Sequence, residues 1–358
     1  MKHSWHRLFP LAAIALVSLP TACVDVRTGN TSNPFLPRTV TTTPAPLPSA
    51  SPSPATSRQV YVFNGIGKTI DRIDSLTRER KATGLGTGLY PNQFVTDGAE
   101  SLLVVSGDSE VRSIDLGGGK VLSTLTLPEN WYPQWLAPIT KGRGVIVGSQ
   151  FGMPSELAWL NWGKGQVEAT ASVPQGNAYA LAIASGKVYL PATDWDYSSR
   201  PPSFSGVHVY DAATRVRLTT IPLVAASKPN ATATAPDGKV WVAGETDIYR
   251  IDPATDAVVN QLPVGERVAA FGFDAPNGYA ILQGGGLVSF KMDGSAMVRG
   301  AGNKMPGGDF ALALVDGKVW SCDFGRDRIL VTDPVTGLQV GDPIPAGDGP
   351  QGLLVLEP

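Results

Sequence analysis

The chain has 358 residues, a formal charge of −2 and only 17% charged residues, where about a quarter is usual. Gly 40 and Pro 30 make up about a fifth of it, against roughly 12% ordinarily. This balance excludes coiled coil, helical bundle and wholesale disorder, and argues against a protein whose work is neutralising phosphates. It points to many short strands joined by tight turns.

Residues 1–22 read as an export signal: Lys2 and Arg7 form a positive start, and an apolar run from Leu8 to Leu19 follows. That run is too short to span a hydrocarbon core of about 30 Å as a permanent helix. Pro20-Thr21-Ala22 then leads to Cys23. This junction resembles a bacterial lipobox, with Leu19 one position further from the Cys than usual. The resemblance implies cleavage before Cys23, lipidation of that residue, and a membrane reached through the lipid on the periplasmic or outer-surface side of a cell envelope. Residues 23–58 read as a tether, with seven prolines between Pro34 and Pro54 among Ser, Thr and Ala. Such a segment buries too little apolar surface to offset its ordering entropy. With Cys23 lipidated, Cys322 is left as a buried, inert thiol in the run Val319-Trp320-Ser321-Cys322.

From residue 59 to 358 the chain repeats itself. Short apolar runs begin at Val60, Leu102, Val145, Val188, Val240, Tyr279 and Val319. Each is followed by a strand ending at Asp74, Asp115, Asn161, Asp211, Asp252, Asp293 or Asp333. A carboxylate or amide there can accept backbone N–H bonds two residues on and close an Asx-turn, so these acids read as structural. A second turn recurs as Asp97-Gly98, Ser185-Gly186, Asp237-Gly238, Asn277-Gly278 and Asp316-Gly317, with Lys141-Gly142 in the remaining repeat. The first run has no partner strand before it, and Gly349–Leu356 has none after it. The two ends therefore pair and close a ring. Seven four-stranded units of about 40 residues describe an all-β, seven-bladed β-propeller.

The units resemble YVTN-type propeller repeats. Residues 60–64, 69–77 and 86–91 follow that pattern, as do 240–243, 248–256 and 264–265, and Gly349-Pro350-Gln351-Gly352 matches its last element. The resemblance covers about 300 residues and implies the fold. Some related propellers are lactonase- or lyase-like enzymes using a His–Glu pair or a metal held by Glu, Asn and Asp near the axis. An envelope enzyme of that type is the alternative reading.

Chemistry-bearing motifs are sparse. His3 and His6 lie in the export signal, leaving His208, inside the strand-like Val207-His208-Val209-Tyr210. One histidine cannot build a His-based zinc site or match the lyase motif, and no cofactor is expected. Asp194-Trp195-Asp196-Tyr197-Ser198 resembles a Ca²⁺ loop only in part, because Ser199 replaces the required Gly and no Glu closes it. What stands out is one face. The fourth unit carries an extra loop, Asp194–Gly206, holding Trp195, Tyr197 and Arg200. In a propeller it opens beside the loops bearing Tyr90, Trp131, Tyr132, Trp135 and Tyr179, across from Lys228, Arg267, Lys304, Asp309, Arg326 and Arg328. Aromatics beside guanidinium groups suit a protein, peptide or carbohydrate ligand, and the acidic balance counts against nucleic acid. The expectation is a non-catalytic binding module whose face includes Tyr90, Trp131, Tyr132, Trp135, Tyr179, Trp195, Tyr197, Arg200, Arg267 and Arg326.

Overall fold

The computed structural model describes residues 57–98, 101–105, 107–150, 153–194, 202–224 and 227–356. The export signal, Cys23 and the tether as far as residue 56 lie outside these, as do Trp195, Tyr197 and Arg200. Among the described residues no helix is long and apolar enough to cross a membrane.

The strands fall into seven antiparallel sheets, ordered here from the innermost strand outward. In chain order, blade one contributes β1 (Gln59–Asn64), β2 (Thr69–Asp74) and β3 (Arg80–Gly86). Blade two is β4 (Pro91–Thr96), β5 (Ser101–Val105), β6 (Glu110–Asp115) and β7 (Lys120–Thr126). Blade three is β8 (Trp131–Thr140), β9 (Arg143–Gln150), β10 (Ser155–Asn161) and β11 (Gln166–Ser172). Blade four is β12 (Ala182–Ala184), β13 (Lys187–Thr193), β14 (Ser205–Asp211) and β15 (Arg217–Pro222). Blade five is β16 (Ala231–Thr234), β17 (Val240–Ala243), β18 (Asp247–Asp252) and β19 (Ala257–Pro263). Blade six is β20 (Val268–Asp274), β21 (Asn277–Leu282), β22 (Leu287–Lys291) and β23 (Met297–Arg299). Blade seven is β24 (Leu312–Val315), β25 (Lys318–Asp323) and β26 (Arg328–Asp333), with β27 (Leu338–Gln339) and β28 (Ile344–Pro345) sharing its outer edge. Finally β29 (Pro350–Leu356) returns to form the inner strand of blade one.

The apolar runs are the second strands, and they read apolar throughout because both faces of each sheet are covered. In β1, Val60 and Val62 pack toward blade seven, while Tyr61 and Phe63 pack toward blade two. Alternate residues of a strand point to opposite faces, so every blade feeds two seams. The same division sends Val145 and Val147 to one neighbour and Ile146 to the other.

Five of the seven expected Asx-turns have the bond two residues on, and at Asp115 and Asn161 the side chain accepts from the residue three on instead. Asp74 Oδ1 accepts from Leu76 N at 3.0 Å and Thr77 N at 2.8 Å. The corresponding bonds reach Gly118 N from Asp115, Lys164 N from Asn161, Ala213 N from Asp211, Ala254 N from Asp252, Ser295 N from Asp293 and Val335 N from Asp333. At Asp74, Asp211, Asp252, Asp293 and Asp333 such hydrogen bonds favour the charged form. Asp74 is held far below the ordinary range, chiefly by the Ser57 hydroxyl and then by Thr77. Asp211 is lowered mainly by Thr214 N–H, and Asp333 mainly by Lys318.

One turn differs from expectation. Asn277 and Gly278 both lie within β21, and the hairpin turns instead on Ala275-Pro276, since Asp274 faces Asn277 across the ladder. Gly278 is needed for packing: a Cβ there would collide with the Phe290 ring.

Ring closure is as the unpaired ends require. β29 pairs antiparallel with β1, Val60 opposite Val355 and Val62 opposite Leu353. Gly65 N donates to Gly349 O at 2.7 Å, and Arg80 Nη1 donates to Ala346 O at 2.6 Å. The first bond extends the β1–β29 pair within blade one, and the second ties blade one to the outer edge of blade seven across their seam.

Candidate functional site

A cavity of about 690 Å³ lies on the propeller axis, lined from all seven inner strands or the segments leading into them. Its walls come from the early residues of those strands and from the ends of second strands, such as Phe63 of β1 and Phe324 just after β25. That is the face on which the outer-to-inner connections enter, as the sequence predicts.

Small residues keep the axis open. Ala180, Ala231, Ala269, Ala311 and Gly352 stand at lining positions on five different blades. Around them stand rings: Phe94, Trp135, Tyr179, Phe271, Phe310 and Phe324. Phe310 and Phe324 stack with centroids 5.5 Å apart, and Phe63 meets Phe94 edge-on at 6.2 Å. Tyr179 is 44% exposed and Phe310 41%. Exposed rings on opposite sides of one opening are available to a ligand without loss of core packing.

The polar lining consists mainly of amides and one pair of opposite charges. Several amides brace neighbouring inner strands, which splay apart around a ring. Asn92 Nδ2 donates to Pro133 O at 2.7 Å, and Gln93 Oε1 accepts Leu136 N at 2.6 Å, tying blade two to blade three. Asn230 Nδ2 donates to Val268 O at 2.7 Å, tying blade five to blade six. Asp309 Oδ1 accepts Phe324 N at 3.0 Å. Among the described lining residues, the acceptors Asn230 Oδ1 and Gln351 Oε1 are buried without a hydrogen-bond partner. Arg267 and Asp309 bring one charge of each sign to the lining.

The expected binding face divides. Trp135, Tyr179 and Arg267 line the cavity. Tyr90, 74% exposed, and the exposed Tyr132 lie at the same end of the strands but outside the lining. Arg326 projects from the turn after β25, with Nη1 3.4 Å from Asp323 Oδ2. Trp131 does not belong to the face: it is only 2% exposed and packs in the seam between blades two and three, in one cluster with Leu102 and Val104 of β5. A bulge in β8 between Pro133 and Trp135 explains the split. One extra residue reverses the alternation, so Trp131 and Leu136 fill one seam while Trp135 turns to the other side and the axis. Gly148 leaves the room for Trp131, since a Cβ there would crowd its ring and Tyr132 O.

His208 is structural. It is buried, with Nε2 2.9 Å from Gln175 O and Nδ1 2.9 Å from Thr220 Oγ1, and it stacks on Phe204. Burial lowers its pKa from 6.5. The neutral ring therefore donates from Nε2 to the carbonyl and accepts the Thr220 hydroxyl at Nδ1. Cys322 is buried and unbridged, and desolvation pushes its thiol far above the ordinary range. Asp194 binds Ser203 N at 3.0 Å and Phe204 N at 2.9 Å, pinning the base of the long loop. Among the described residues no group of three or more His, Cys, Asp or Glu is placed to hold a metal.

The aromatic residues missed by sequence reading are Phe63, Phe94, Phe271, Phe310 and Phe324. Phe63 lies near the end of β1, Phe310 and Phe324 just outside β24 and β25, and Phe94 and Phe271 within β4 and β20, all places where a packed core residue looks the same. The one available signal was positional, the recurrence of these places from blade to blade.

No known family's sequence profile matches the chain, and no curated protein matches it. Solved structures do. A Bacteroides fragilis protein provisionally assigned as a 6-phosphogluconolactonase aligns at TM-score 0.65 and 14% identity, over 86% of this chain and 100% of that one. A protein of unknown function from Desulfotomaculum acetoxidans aligns at 0.64 and 15%, over 84% and 100%. AztD of Citrobacter koseri aligns at 0.55 and 11%, over 84% and 98%. At such identities the likeness shows the fold alone: this chain is a seven-bladed β-propeller resembling AztD and lactonase-like propellers.

Proposed function

We propose that this chain is an exported, lipid-anchored propeller that binds a small ligand in its axial cavity without transforming it. The observation that carries the reading is the cavity itself. Its volume of about 690 Å³ falls in the usual range for small-ligand sites, roughly 300–1,000 Å³. Aromatic walls with a few convergent polar groups are the usual composition of such sites. Asn230 Oδ1, on a lining residue, is buried without a hydrogen-bond partner, and an unmet buried acceptor costs free energy that a bound donor would recover. A catalytic reading finds less support, because His208 is committed to the fold and Asp309 is the single carboxylate among the described lining residues. The propeller fold serves both kinds of protein and does not decide between them.

The test is a thermal-shift panel of free amino acids, short peptides and mono- and disaccharides against the purified chain. The reading expects at least one compound to raise the melting temperature, with the shift reduced in Trp135→Ala and Tyr179→Ala. A panel with no stabilising member, or a shift that both variants retain in full, would contradict it.

A further inference from the structure

We infer that the axial cavity takes a neutral di- or trisaccharide. The inference rests on the axial-binding reading and names its ligand class.

Charge sets the first requirement. Arg267 and Asp309 cancel within the lining, and Arg267 is already engaged within the protein. On the same face Lys304 Nζ is paired with Glu266 at 3.1 Å, and Arg328 Nε with Asp323 at 2.7 Å. An anionic ligand would lose its hydration to cations that already have partners, and a cationic one would meet a lining of no net charge. A neutral ligand avoids both costs.

The polar groups set the second. Gln93 is 8% exposed, and its Oε1 is held by Leu136 N at 2.6 Å, which orients the amide and leaves the Nε2 hydrogens as its donors. Gln283 is exposed on the lining, its backbone N fixed on Arg267 O at 2.8 Å, and its amide offers a donor and an acceptor together. Asp309 Oδ1 accepts Phe324 N, and Oδ2 is a further acceptor. Asn230 cannot turn its amide over, because Nδ2 is held on Val268 O, so its unpartnered Oδ1 stays an acceptor. A wholly apolar ligand would strand this mixture of donors and acceptors. Hydroxyl groups answer it, because each both donates and accepts.

The rings set the third. Tyr179 and Phe310, 44% and 41% exposed, enter from blades four and seven on opposite sides of the opening. Ring faces are electron-rich, and the C–H bonds on the flat side of a sugar carry the complementary polarity. A flat heterocycle gains most between two parallel rings, but the stacked pair of the lining, Phe310 and Phe324, is closed on itself. Reaching the rings on both sides takes more than one sugar unit, and a cavity of about 690 Å³ has room for two or three.

Calorimetric titration of the purified chain with maltose, cellobiose, lactose and glucose tests this. The inference expects saturable one-to-one binding of at least one disaccharide, with glucose about tenfold weaker or worse. Tyr179→Ala and Phe310→Ala should each weaken that disaccharide about tenfold, and Gln283→Ala and Asp309→Asn several-fold. Gln283 is exposed, so its replacement leaves the fold intact, and Asp309→Asn keeps an acceptor for Phe324 N–H. Glucose binding as tightly as every disaccharide, or a disaccharide whose affinity all four variants retain, would overturn the inference. No disaccharide binding would also overturn it. Axial binding would then stand if an amino acid or peptide stabilises the chain in the thermal-shift panel, and would fall with it if nothing does.

Discussion

Removing residues 349–358 should unfold the propeller rather than shorten it. The deletion takes out β29, which lies in register on β1 from Gly352 opposite Phe63 to Leu356 opposite Gln59. Its side chains serve two seams. Leu354, 9% exposed, packs between blades one and two, and Leu353 and Val355 pack between blades seven and one. A fully buried Leu or Val contributes about 1.5–3 kcal/mol. With Leu354 buried and Leu353, Val355 and Leu356 half-buried, the lost burial is about 4–8 kcal/mol, before counting β1's newly unpaired backbone. Typical domains have about 5–15 kcal/mol in total. At roughly 2–4 °C per kcal/mol for a domain of about 150–250 residues, the melting temperature should drop by about 8–32 °C, or the transition should disappear. Circular dichroism melts of both chains measure this directly. A truncated chain melting within a few degrees of the full one would refute the closed ring.

Trp131→Ala should cost about 3–5 kcal/mol, as removal of a core aromatic does, without impairing the cavity. Trp135→Ala should cost less stability and more ligand binding, and paired melts and titrations would show the opposite order if Trp131 served the face. Stability should fall on acidification in two stages. His208 has its folded pKa below 6.5, so its neutral form supports the fold above that value and the contribution is lost as pH falls from 6.5 through the folded pKa. Asp74, Asp211, Asp252, Asp293 and Asp333 are lowered from 3.8, so their contributions are present above 3.8 and are lost as pH falls through their folded values. Melts from about pH 7 to about pH 3 should show the first stage removed in His208→Gln, and an unchanged profile would count against the buried neutral ring. Cys23→Ser should release the chain from membranes on fractionation, since the anchor proposed is the lipid on that residue, and unchanged partition would refute it.

The fold was legible because a repeat multiplies a weak signal. One VYVFN run could be a buried strand or part of a helix, but seven at nearly even spacing, each trailed by an Asp or Asn turn, admit few architectures. Closure followed from the unmatched strands at residues 60 and 350. Local exceptions were not legible. The β8 bulge that separates Trp131 from Trp135 leaves no mark in the string Trp-Tyr-Pro-Gln-Trp, and strict alternation would have put both on one side. Asn277-Gly278 has the composition of a turn, yet Gly278 is there to admit the Phe290 ring. The cavity was half legible: loop aromatics drew attention to Trp135, Tyr179 and Arg267, whereas Phe271 and Phe324 are indistinguishable from core until blades are arranged about an axis.

The most direct test of axial binding is ¹⁹F NMR of the chain carrying 5-fluorotryptophan, with the Trp135 signal assigned by its loss in Trp135→Phe. The compounds that stabilise the chain in the thermal-shift panel are titrated in. The account predicts that at least one moves the Trp135 signal saturably while the buried Trp131 and Trp241 signals stay in place. A Trp135 signal that no stabilising compound moves, or one that shifts only together with every other tryptophan, would contradict it.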